Sequence, residues 1–349
     1  MRGLRITRWG GTLELFEAPA PVPAAGEVQI RVLACGIGLT VVNYIGGQLG
    51  DPPLERPVVP GHELVGHISA VGPGVDEQRV GELVTAHFYL FCGRCRNCLG
   101  GFEPLCEHPQ GQIGTARDGG YAELTTLPER NVVPLPPGID FVDATVVADA
   151  VATPVHIARR AAITPGDRVC VIGAAGGVGI HMVQVAGLHG GDVVGLDVVP
   201  EKLDFLENDL GIDVADSSSF DDVALPSRWD GRADVIVDFV GSHQSIGWAL
   251  RALGANGRLV LVTTFPGRET PFDPRKIVHA QAAVLGSRYA SRFEVGLAGA
   301  LVAAGRVRAV ISRRVGLEGV EAIHDELRSG LLLGRGALVL AGTGHDDPR

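Results

Sequence analysis

One segment constrains the fold of this chain more than any other: an apolar run that turns through glycines into a helical pattern. The run Arg168 to Ile172 leads into the turn Gly173 to Gly179, and the helical pattern spans Val178 to Leu188. The run shows little alternation of polar and apolar residues, as is typical of a strand that helices cover on both faces. Further apolar runs and helical patterns follow it, at Asp192 to Leu196, Glu201 to Asp209, Asp234 to Val240, Ser245 to Leu253 and Gly257 to Val262. Repeated strand–helix units with short connections predict an α/β fold with a doubly wound parallel sheet.

The chain before Ala150 has a different pattern, in which short β-like runs are broken by glycine and proline. These runs predict a β-rich, partly closed domain, and they lie at Glu27 to Leu33, Leu64 to Val71, Leu83 to Phe88 and Tyr121 to Leu127. A helical stretch from Phe141 to Ala162 follows them. Because 349 residues are too many for one typical core, two domains are expected. The C-terminal tail ends in the apolar run Ala337 to Leu340, and the pattern alone assigns it to neither domain.

The glycine-rich turn has the chemistry of a dinucleotide site. Gly176 and Gly177 would let the backbone approach a pyrophosphate closely, and Gly179 would let the helix pack tightly on the strand. Together with Val178, these residues would open a helix whose free N–H groups and dipole favour an anion. Taken alone, such a turn would also suit an α/β domain without a cofactor, since Ala174 fills its first glycine position.

An acidic residue after the next strand makes the cofactor prediction specific. Asp197 ends that strand, 18 residues after Gly179, where its carboxylate would accept hydrogen bonds from the adenosine ribose hydroxyls. The same carboxylate would repel a 2′-phosphate, and no arginine adjoins it to neutralise one. Lys202 follows at a spacing suited to reach the same ribose. The sequence therefore predicts NAD(H) rather than NADP(H).

Four of the six cysteines fall within one short lobe, at Cys92, Cys95, Cys98 and Cys106. In a large chain with no export signal, such clustering indicates a metal site rather than disulfides. Four thiolates close a tetrahedral zinc site and leave no open position, so this zinc would hold the lobe together. Redox cysteines or an iron–sulfur cluster are the alternatives, although the spacing differs from that of ferredoxins. One structural zinc per subunit is predicted.

Composition and charge argue against several classes of protein. The net charge is −10 and no basic run is present, so nucleic-acid binding has little electrostatic support. The sequence has no uninterrupted apolar stretch of about 18 residues with which to span a membrane. The first residues, Met1 to Gly11, alternate charged and apolar side chains and lack the apolar core of a signal peptide. A cytoplasmic protein that acts on a small molecule is expected.

Together these motifs resemble the medium-chain dehydrogenase/reductase superfamily, in its zinc-containing alcohol dehydrogenase branch, over nearly the whole chain. The resemblance rests on the cysteine lobe, the glycine-rich turn with Asp197, Gly61-His-Glu63, Val65 to Gly72, and the closing Gly334 to Leu340. It implies a GroES-like catalytic domain at 1–151 with the zinc lobe at about 90–107, a Rossmann NAD-binding domain at 152–287, and a return to the catalytic domain at 288–349. It also implies a substrate cleft between the two domains and a homodimer or homotetramer.

The resemblance also implies a catalytic zinc, and here the chain departs from its family. That zinc usually binds a cysteine of the first domain, the histidine of the Gly-His-Glu motif and a third ligand near the domain junction. The matching positions hold Gly38, His62 and Asp149, and Cys35 lies three residues before the cysteine position. Some relatives also use the glutamate of the motif. His62, Glu63 and Asp149 are therefore candidate nitrogen and oxygen ligands of a weakened zinc site.

Two further roles follow from the resemblance. Thr40 matches the hydroxyl that passes a proton between substrate and solvent, whereas Asn43 stands where relatives continue this relay with a histidine. Arg335 resembles the arginine that pairs with the cofactor pyrophosphate, a role that suits a charge-assisted bidentate contact.

These residues leave three functions open. The first is an NAD(H)-dependent oxidoreductase that transfers hydride between nicotinamide and an alcohol or carbonyl carbon, with a catalytic zinc that is weak or absent. The second is a metal-independent reductase of an activated C=C or C=N bond, where hydrogen-bond donors stabilise the developing charge. The third is a non-catalytic dinucleotide-binding protein, which the retention of Thr40, His62, Glu63 and Asp149 disfavours.

Overall fold

The structure is a computed structural model that describes residues 1–49, 53–263, 265–271 and 273–340. Within these ranges the chain forms two compact units. The first unit contains Met1–Asp149, Ser291–Gly305 and the described chain from Ile311, and the second contains Ala150–Ala290 and Arg306–Val310. Each unit is built on its own sheet.

The first unit begins with short and medium strands joined by turns. The strands are β1 (Arg2–Arg5), β2 (Glu14–Glu17), β3 (Glu27–Ile37), β4 (Glu63–Val71), β5 (Leu83–Ala86), β6 (Leu124–Pro128) and β7 (Val132–Pro134). Two short helices accompany them, α1 (Leu39–Ile45) and α2 (Arg96–Leu99). β1 pairs with β2, and β6 pairs with β3.

The second unit alternates helices and strands. Its helices are α3 (Ala152–Arg160), α4 (Gly179–Leu188), α5 (Pro200–Leu210), α6 (His243–Ala252) and α7 (Pro274–Ala280). Its strands are β8 (Arg168–Ile172), β9 (Asp192–Asp197), β10 (Asp213–Asp216), β11 (Ala233–Asp238), β12 (Leu253–Leu261) and β13 (Ala283–Gly286). These strands are parallel and lie in the order β10-β9-β8-β11-β12-β13, so the strand order reverses between β8 and β11.

The C-terminal part returns to the sheet of the first unit. It forms α8 (Arg292–Ala303), β14 (Ile311–Val315), α9 (Val320–Arg328) and β15 (Arg335–Val339). The described strands of this sheet lie in the order β14-β15-β3-β4-β5-β7, antiparallel except for β14 beside β15. β3 therefore lies between β4 and β15, two strands that are far apart in the sequence.

The predicted fold class is confirmed by both sheets. β8 spans the predicted run, and the ends of the other predicted strands of the second unit shift by a few residues. The predicted helical stretch Phe141 to Ala162 is less regular than expected. It begins with a 3₁₀ turn at Asp143–Val146 and a π-helical turn at Val147–Val151, and only then becomes α3. Its valines lower the preference for a regular α-helix. Among the described residues, none of the helices has the length and apolar character needed to cross a membrane.

Trp229 anchors the core of the second unit. Its side chain is 1% exposed and belongs to a buried cluster with residues of β8, β9, α6 and β12. The indole Nε1–H donates a hydrogen bond to Asp192 Oδ2 over 2.6 Å. The largest fully buried side chain among the described residues thus has its polar atom satisfied.

We expect Trp229→Ala to lower the free energy of unfolding of the second unit by about 3–5 kcal/mol, because it leaves a cavity in this cluster. Trp229→Phe keeps a ring in the core but loses the hydrogen bond and part of the buried volume, so its effect should be smaller, about 1–3 kcal/mol. Urea unfolding followed by far-UV circular dichroism measures both variants. Equal losses in the two variants would contradict this account of the core.

Candidate functional site

The four clustered cysteines converge in the lobe that contains α2. Their sulfur atoms all lie within 4.8 Å of one another. The Sγ–Sγ distances are 3.9 Å for Cys92–Cys98, 3.4 Å for Cys95–Cys98 and 4.0 Å for Cys95–Cys106. Zinc with four sulfur ligands at about 2.3 Å would hold those sulfurs about 3.8 Å apart. The donor set therefore fits a closed tetrahedral zinc site. Within the described ranges, no other cluster of three or more His, Cys, Asp or Glu side chains is gathered in this way.

Backbone N–H groups around the lobe favour the thiolate form of its cysteines. The N–H groups of Arg94 and Glu107 point at Cys92 Sγ and Cys95 Sγ, each over 3.5 Å. The bond from Glu107 is the main reason why the pKa of Cys95 falls to about 6. Burial, together with the neighbouring Cys95, raises the pKa of Cys98 to about 12. A cation bound among the four sulfurs would balance the charge that this arrangement gathers.

The glycine-rich turn lies between β8 and α4, and its geometry requires glycine. Gly173 has φ +77, a left-handed conformation that side chains rarely adopt. A Cβ atom on Gly179 would lie only 2.1 Å from the carbonyl oxygen of Gly173. The helix begins at Gly179 with Val178 before it, so Gly176 and Gly177 lie in the turn, next to the start of the helix. This is the strand–turn–helix context in which a turn of this kind binds a pyrophosphate.

Asp197 lies at the carboxyl end of β9 and is tied to the same turn. Its Oδ2 accepts a hydrogen bond from the N–H of Ala175, and its Oδ1 accepts one from the N–H of Val198, each over 2.9 Å. Lys202 follows on α5, where burial lowers the pKa of its ammonium although Asp197 opposes the shift. The turn, Asp197 and Lys202 thus belong to one edge of the parallel sheet.

A second group of charged residues lies across β3 in the first unit. Glu63 begins β4 and Arg335 begins β15, the two strands on either side of β3. The register places Glu63 opposite Gly36 and Gly336 opposite Ile37. The sheet therefore brings an acidic and a basic side chain to the same end of one strand.

The guanidinium of Arg335 bridges two carboxylates. Its Nη2 lies 2.9 Å from Asp149 Oδ2 and 3.1 Å from Glu63 Oε1. All three residues are buried, with exposed fractions of 3% for Arg335, 0% for Glu63 and 8% for Asp149. Burial alone would lower the pKa of Arg335, but Glu63 and Asp149 outweigh it and the pKa is raised. A buried ion pair of this kind needs both partners, since removal of one leaves an uncompensated buried charge.

His62 extends this group. Its Nε2 lies 3.7 Å from Asp149 Oδ2, and its ring packs against Phe88 with a centroid distance of 4.5 Å. Asp149 itself lies on the π-helical turn, a form of helix that occurs frequently at functional sites. The structure therefore brings His62, Glu63 and Asp149 together, and it brings Arg335 to the same place.

Two glycines of the β3–α1 segment make the space for these side chains. A Cβ atom on Gly36 would lie 2.7 Å from Glu63 Oε2. A Cβ atom on Gly38 would lie 1.8 Å from Arg335 Nη1 and 2.6 Å from its Cζ. The guanidinium thus occupies the volume that any side chain at position 38 would need. A glycine in a strand often marks such a close approach, so Gly36 was a signal that the sequence interpretation did not use.

The first unit also contains Thr40, Asn43, Tyr44 and Cys35. Thr40 is half-buried on α1, and Asn43 is half-buried one turn later. The hydroxyl of Tyr44 donates a hydrogen bond to Gln112 Oε1 over 3.0 Å. Cys35 is fully buried in β3, and burial, aided by Glu63, raises the pKa of its thiol well above the usual range. A buried, neutral thiol is the form expected of a structural cysteine.

The two candidate metal sites differ in how well their residues fit zinc. The four sulfurs of the lobe are spaced for a tetrahedral ion. Glu63 and Asp149, by contrast, already point at the guanidinium of Arg335, and Gly38 supplies no sulfur. Glu63 and Asp149 thus face an organic cation, with His62 beside Asp149, an arrangement that does not fit a bound zinc ion.

Comparisons with known proteins agree with both units. The alcohol dehydrogenase GroES-like domain matches residues 24–137, and the zinc-binding dehydrogenase family matches residues 177–303. An alcohol dehydrogenase of Geobacillus stearothermophilus is 31% identical over 96% of this chain and 98% of its own length. A cobalt- and zinc-bound thermostable alcohol dehydrogenase from Pyrobaculum aerophilum has a TM-score of 0.84 with 32% identity, covering 96% of this chain and 99% of that one. An acetophenone reductase from Geotrichum candidum in complex with NAD has a TM-score of 0.85 with 26% identity, covering 97% of each chain.

We expect Cys98→Ala to release the zinc of the lobe, because a structural zinc needs all four of its thiolates. Cys170→Ala is the matched control, since Cys170 is a buried cysteine of β8 remote in sequence from the lobe. Elemental analysis should give about one zinc per subunit for the control and less for Cys98→Ala, which should also become sensitive to proteases around residue 98. Retention of full zinc content by Cys98→Ala would contradict the assignment.

A second pair of variants tests the turn. Gly179→Ala should lower the thermal unfolding temperature and weaken NADH binding, because its Cβ would displace the carbonyl of Gly173. Gly187→Ala lies in the same helix with nothing within 4 Å of the added atom, and it should stabilise the protein by about 0.5–1 kcal/mol. Differential scanning calorimetry and NADH fluorescence titration measure these effects. The geometry of the turn would be wrong if both substitutions were equally tolerated.

Proposed function

Because this chain belongs to the zinc-containing alcohol dehydrogenase family of medium-chain dehydrogenases/reductases, we propose that it transfers hydride between NAD(H) and an alcohol or carbonyl carbon, with a catalytic zinc that is weak or absent. The chain is an NAD-dependent, alcohol-dehydrogenase-like oxidoreductase that acts on a small molecule. Its cofactors are NAD(H) and a structural zinc at the four cysteines. The reaction centre is the part of this proposal that needs argument.

One observation carries the statement about zinc: the contact of Arg335 with Glu63 and Asp149. One positive charge faces two buried carboxylates, so the group is already supplied with a cation. A zinc ion would have to displace that guanidinium, and it would bind without the thiolate that Gly38 does not provide. Fewer ligands and a competing cation both lower zinc affinity.

NADH, when bound, would supply the hydride, and the chain's own residues would hold the substrate oxygen and its proton. We assign the proton transfer to the hydroxyl of Thr40, which is half-buried at the start of α1. A positioned hydroxyl can pass a proton to the oxygen that becomes negative during reduction. Tyr44, the other nearby hydroxyl, is held by Gln112. The turn at Gly176–Gly179, Asp197 and Lys202 would hold the cofactor, and Arg335 stays a candidate for its pyrophosphate.

The same contact also favours a second candidate function, reduction of an activated C=C or C=N bond. The guanidinium faces two carboxylates, so little positive charge is left over to polarise a carbonyl. Conjugate hydride transfer needs only hydrogen-bond donors at the distant oxygen.

A substrate panel separates these functions from each other and from a non-catalytic role. NADH oxidation is measured with saturated aldehydes and ketones, with enals and with imines, on protein whose zinc content is known. We expect turnover of saturated carbonyl compounds at about one zinc per subunit, which the cysteine lobe accounts for. Turnover of enals or imines alone would select the second function. NADH binding without turnover of any compound would select the non-catalytic one.

Thr40→Val should lower kcat for the best carbonyl substrate by about 10²–10⁴-fold, because it removes the proton-transferring hydroxyl. Thr40→Ser keeps the hydroxyl and is the matched control, with a kcat within about tenfold of the parent enzyme. The change should fall on kcat more than on KM. A Thr40→Val enzyme with unchanged kcat would remove Thr40 from the mechanism.

We also propose that the protein is cytoplasmic and forms a homodimer or homotetramer, as its family resemblance implies. Light scattering on the purified protein measures the number of subunits. The position of the substrate in a cleft between the two domains stays a prediction.

A further inference from the structure

We propose that Arg335 is the resident cation of the reaction centre, and that its guanidinium takes the place of a catalytic metal ion between Glu63, Asp149 and His62. This inference rests on the proposed function, since it concerns the same site. It goes further by identifying what replaces the metal and by coupling Arg335 to Gly38.

The geometry of the contacts around Arg335 Nη2 supports this inference. Asp149 Oδ2 and Glu63 Oε1 both point at one nitrogen, Arg335 Nη2, from 2.9 Å and 3.1 Å. The imidazole Nε2 of His62 lies 3.7 Å from the same oxygen of Asp149. These are the three side chains that would have to bind a metal. A metal ion shared by the two oxygens would need the position that Nη2 fills, so the ion and the guanidinium exclude each other.

The space beside Gly38 also supports this inference. Its missing side chain leaves the space that Arg335 Nη1 enters, 1.8 Å from where a Cβ would lie. A side chain at position 38 and the guanidinium in this position are therefore alternatives. The guanidinium is the far end of a flexible side chain, so a residue added at position 38 would push it aside rather than unfold the sheet. The lack of a thiolate at position 38 and the presence of the guanidinium in that space are therefore linked.

The charges of the buried carboxylates support it as well. Glu63 is fully buried and Asp149 nearly so, and two buried carboxylates without a cation repel each other and lose their hydration. Removal of the arginine takes away the positive charge that both carboxylates share, which favours uptake of protons or of another cation. His62 Nε2 lies beside Asp149, so the three side chains offer nitrogen and oxygen donors that a zinc ion could draw together.

The experiment is a zinc count on Arg335 variants. The parent protein, Arg335→Gln and Arg335→Lys are each loaded with excess zinc, passed through a desalting column and analysed for zinc per subunit. We expect about one zinc for the parent, about two for Arg335→Gln, and about one for Arg335→Lys, which keeps a cation in the pocket. Added zinc should raise the melting temperature of Arg335→Gln and leave that of Arg335→Lys unchanged, because a ligand stabilises only the folded state that binds it.

A double variant covers the case in which Arg335→Gln folds poorly. Gly38→Cys combined with Arg335→Gln restores a thiolate and removes the competing cation, so it should also bind about two zinc ions and hold the second against mild chelation. Gly38→Cys alone should bind more than one zinc per subunit but less than the double variant, because its side chain displaces the guanidinium from this position while Arg335 remains as a competing cation.

Several results would overturn the inference. One is a parent protein that binds two zinc ions, and another is folded single and double variants that both stay at one. A third is Arg335→Gln that gains no zinc but loses NADH affinity by tenfold or more, which would assign Arg335 to the pyrophosphate. None of these results bears on whether the parent enzyme reduces carbonyl compounds, which the substrate panel measures separately. A parent protein with two zinc ions would in addition overturn the statement that the catalytic zinc is weak or absent.

Discussion

The contact between Arg335 and the two carboxylates of Glu63 and Asp149 is the interaction on which the account of this enzyme depends. All three groups are buried, so none can be removed without leaving an uncompensated charge. The sheet order β15-β3-β4 brings Arg335 and Glu63 to the same end of β3. The glycines at positions 36 and 38 leave room for these two side chains. In the structure these carboxylates therefore face a side chain of the protein, whereas the family resemblance implies a metal ion at the same motif.

The parts of the molecule that are local in sequence could be predicted from sequence. The turn Gly173 to Gly179 predicts a strand–turn–helix, because its glycines lie directly between an apolar run and a helical pattern. The structure contains this strand, turn and helix. The cysteine lobe is equally local, since its four sulfurs come from 15 consecutive residues, 92 to 106. The fold class followed from the repeated strand–helix units, the NAD(H) cofactor from the turn with Asp197 and the structural zinc from the cysteine lobe, and all three are confirmed.

The reaction centre could be predicted only in part, because its contacts join distant parts of the chain. His62, Glu63 and Asp149 were identified as a group from family motifs, but Arg335 lies 186 residues from Asp149 and was assigned to the pyrophosphate alone. Sequence spacing cannot reveal that β15 lies beside β3. Sequence spacing also does not show that the guanidinium of Arg335 occupies the space that a side chain at position 38 would need. The π-helical turn that carries Asp149 was likewise hidden in a stretch that reads as an ordinary helix.

The two metal sites and the cofactor turn therefore differ in the roles that we assign to them. The cysteine lobe fits a structural zinc, the turn with Asp197 is the proposed cofactor site, and the group around Arg335 is the proposed reaction centre. Diffraction data collected at the zinc absorption edge from crystals of the parent protein grown with zinc test this most directly. The account predicts one anomalous peak among the four cysteines and ordered guanidinium density between Glu63 and Asp149. A second peak bound by His62, Glu63 and Asp149, with Arg335 turned away, would contradict it.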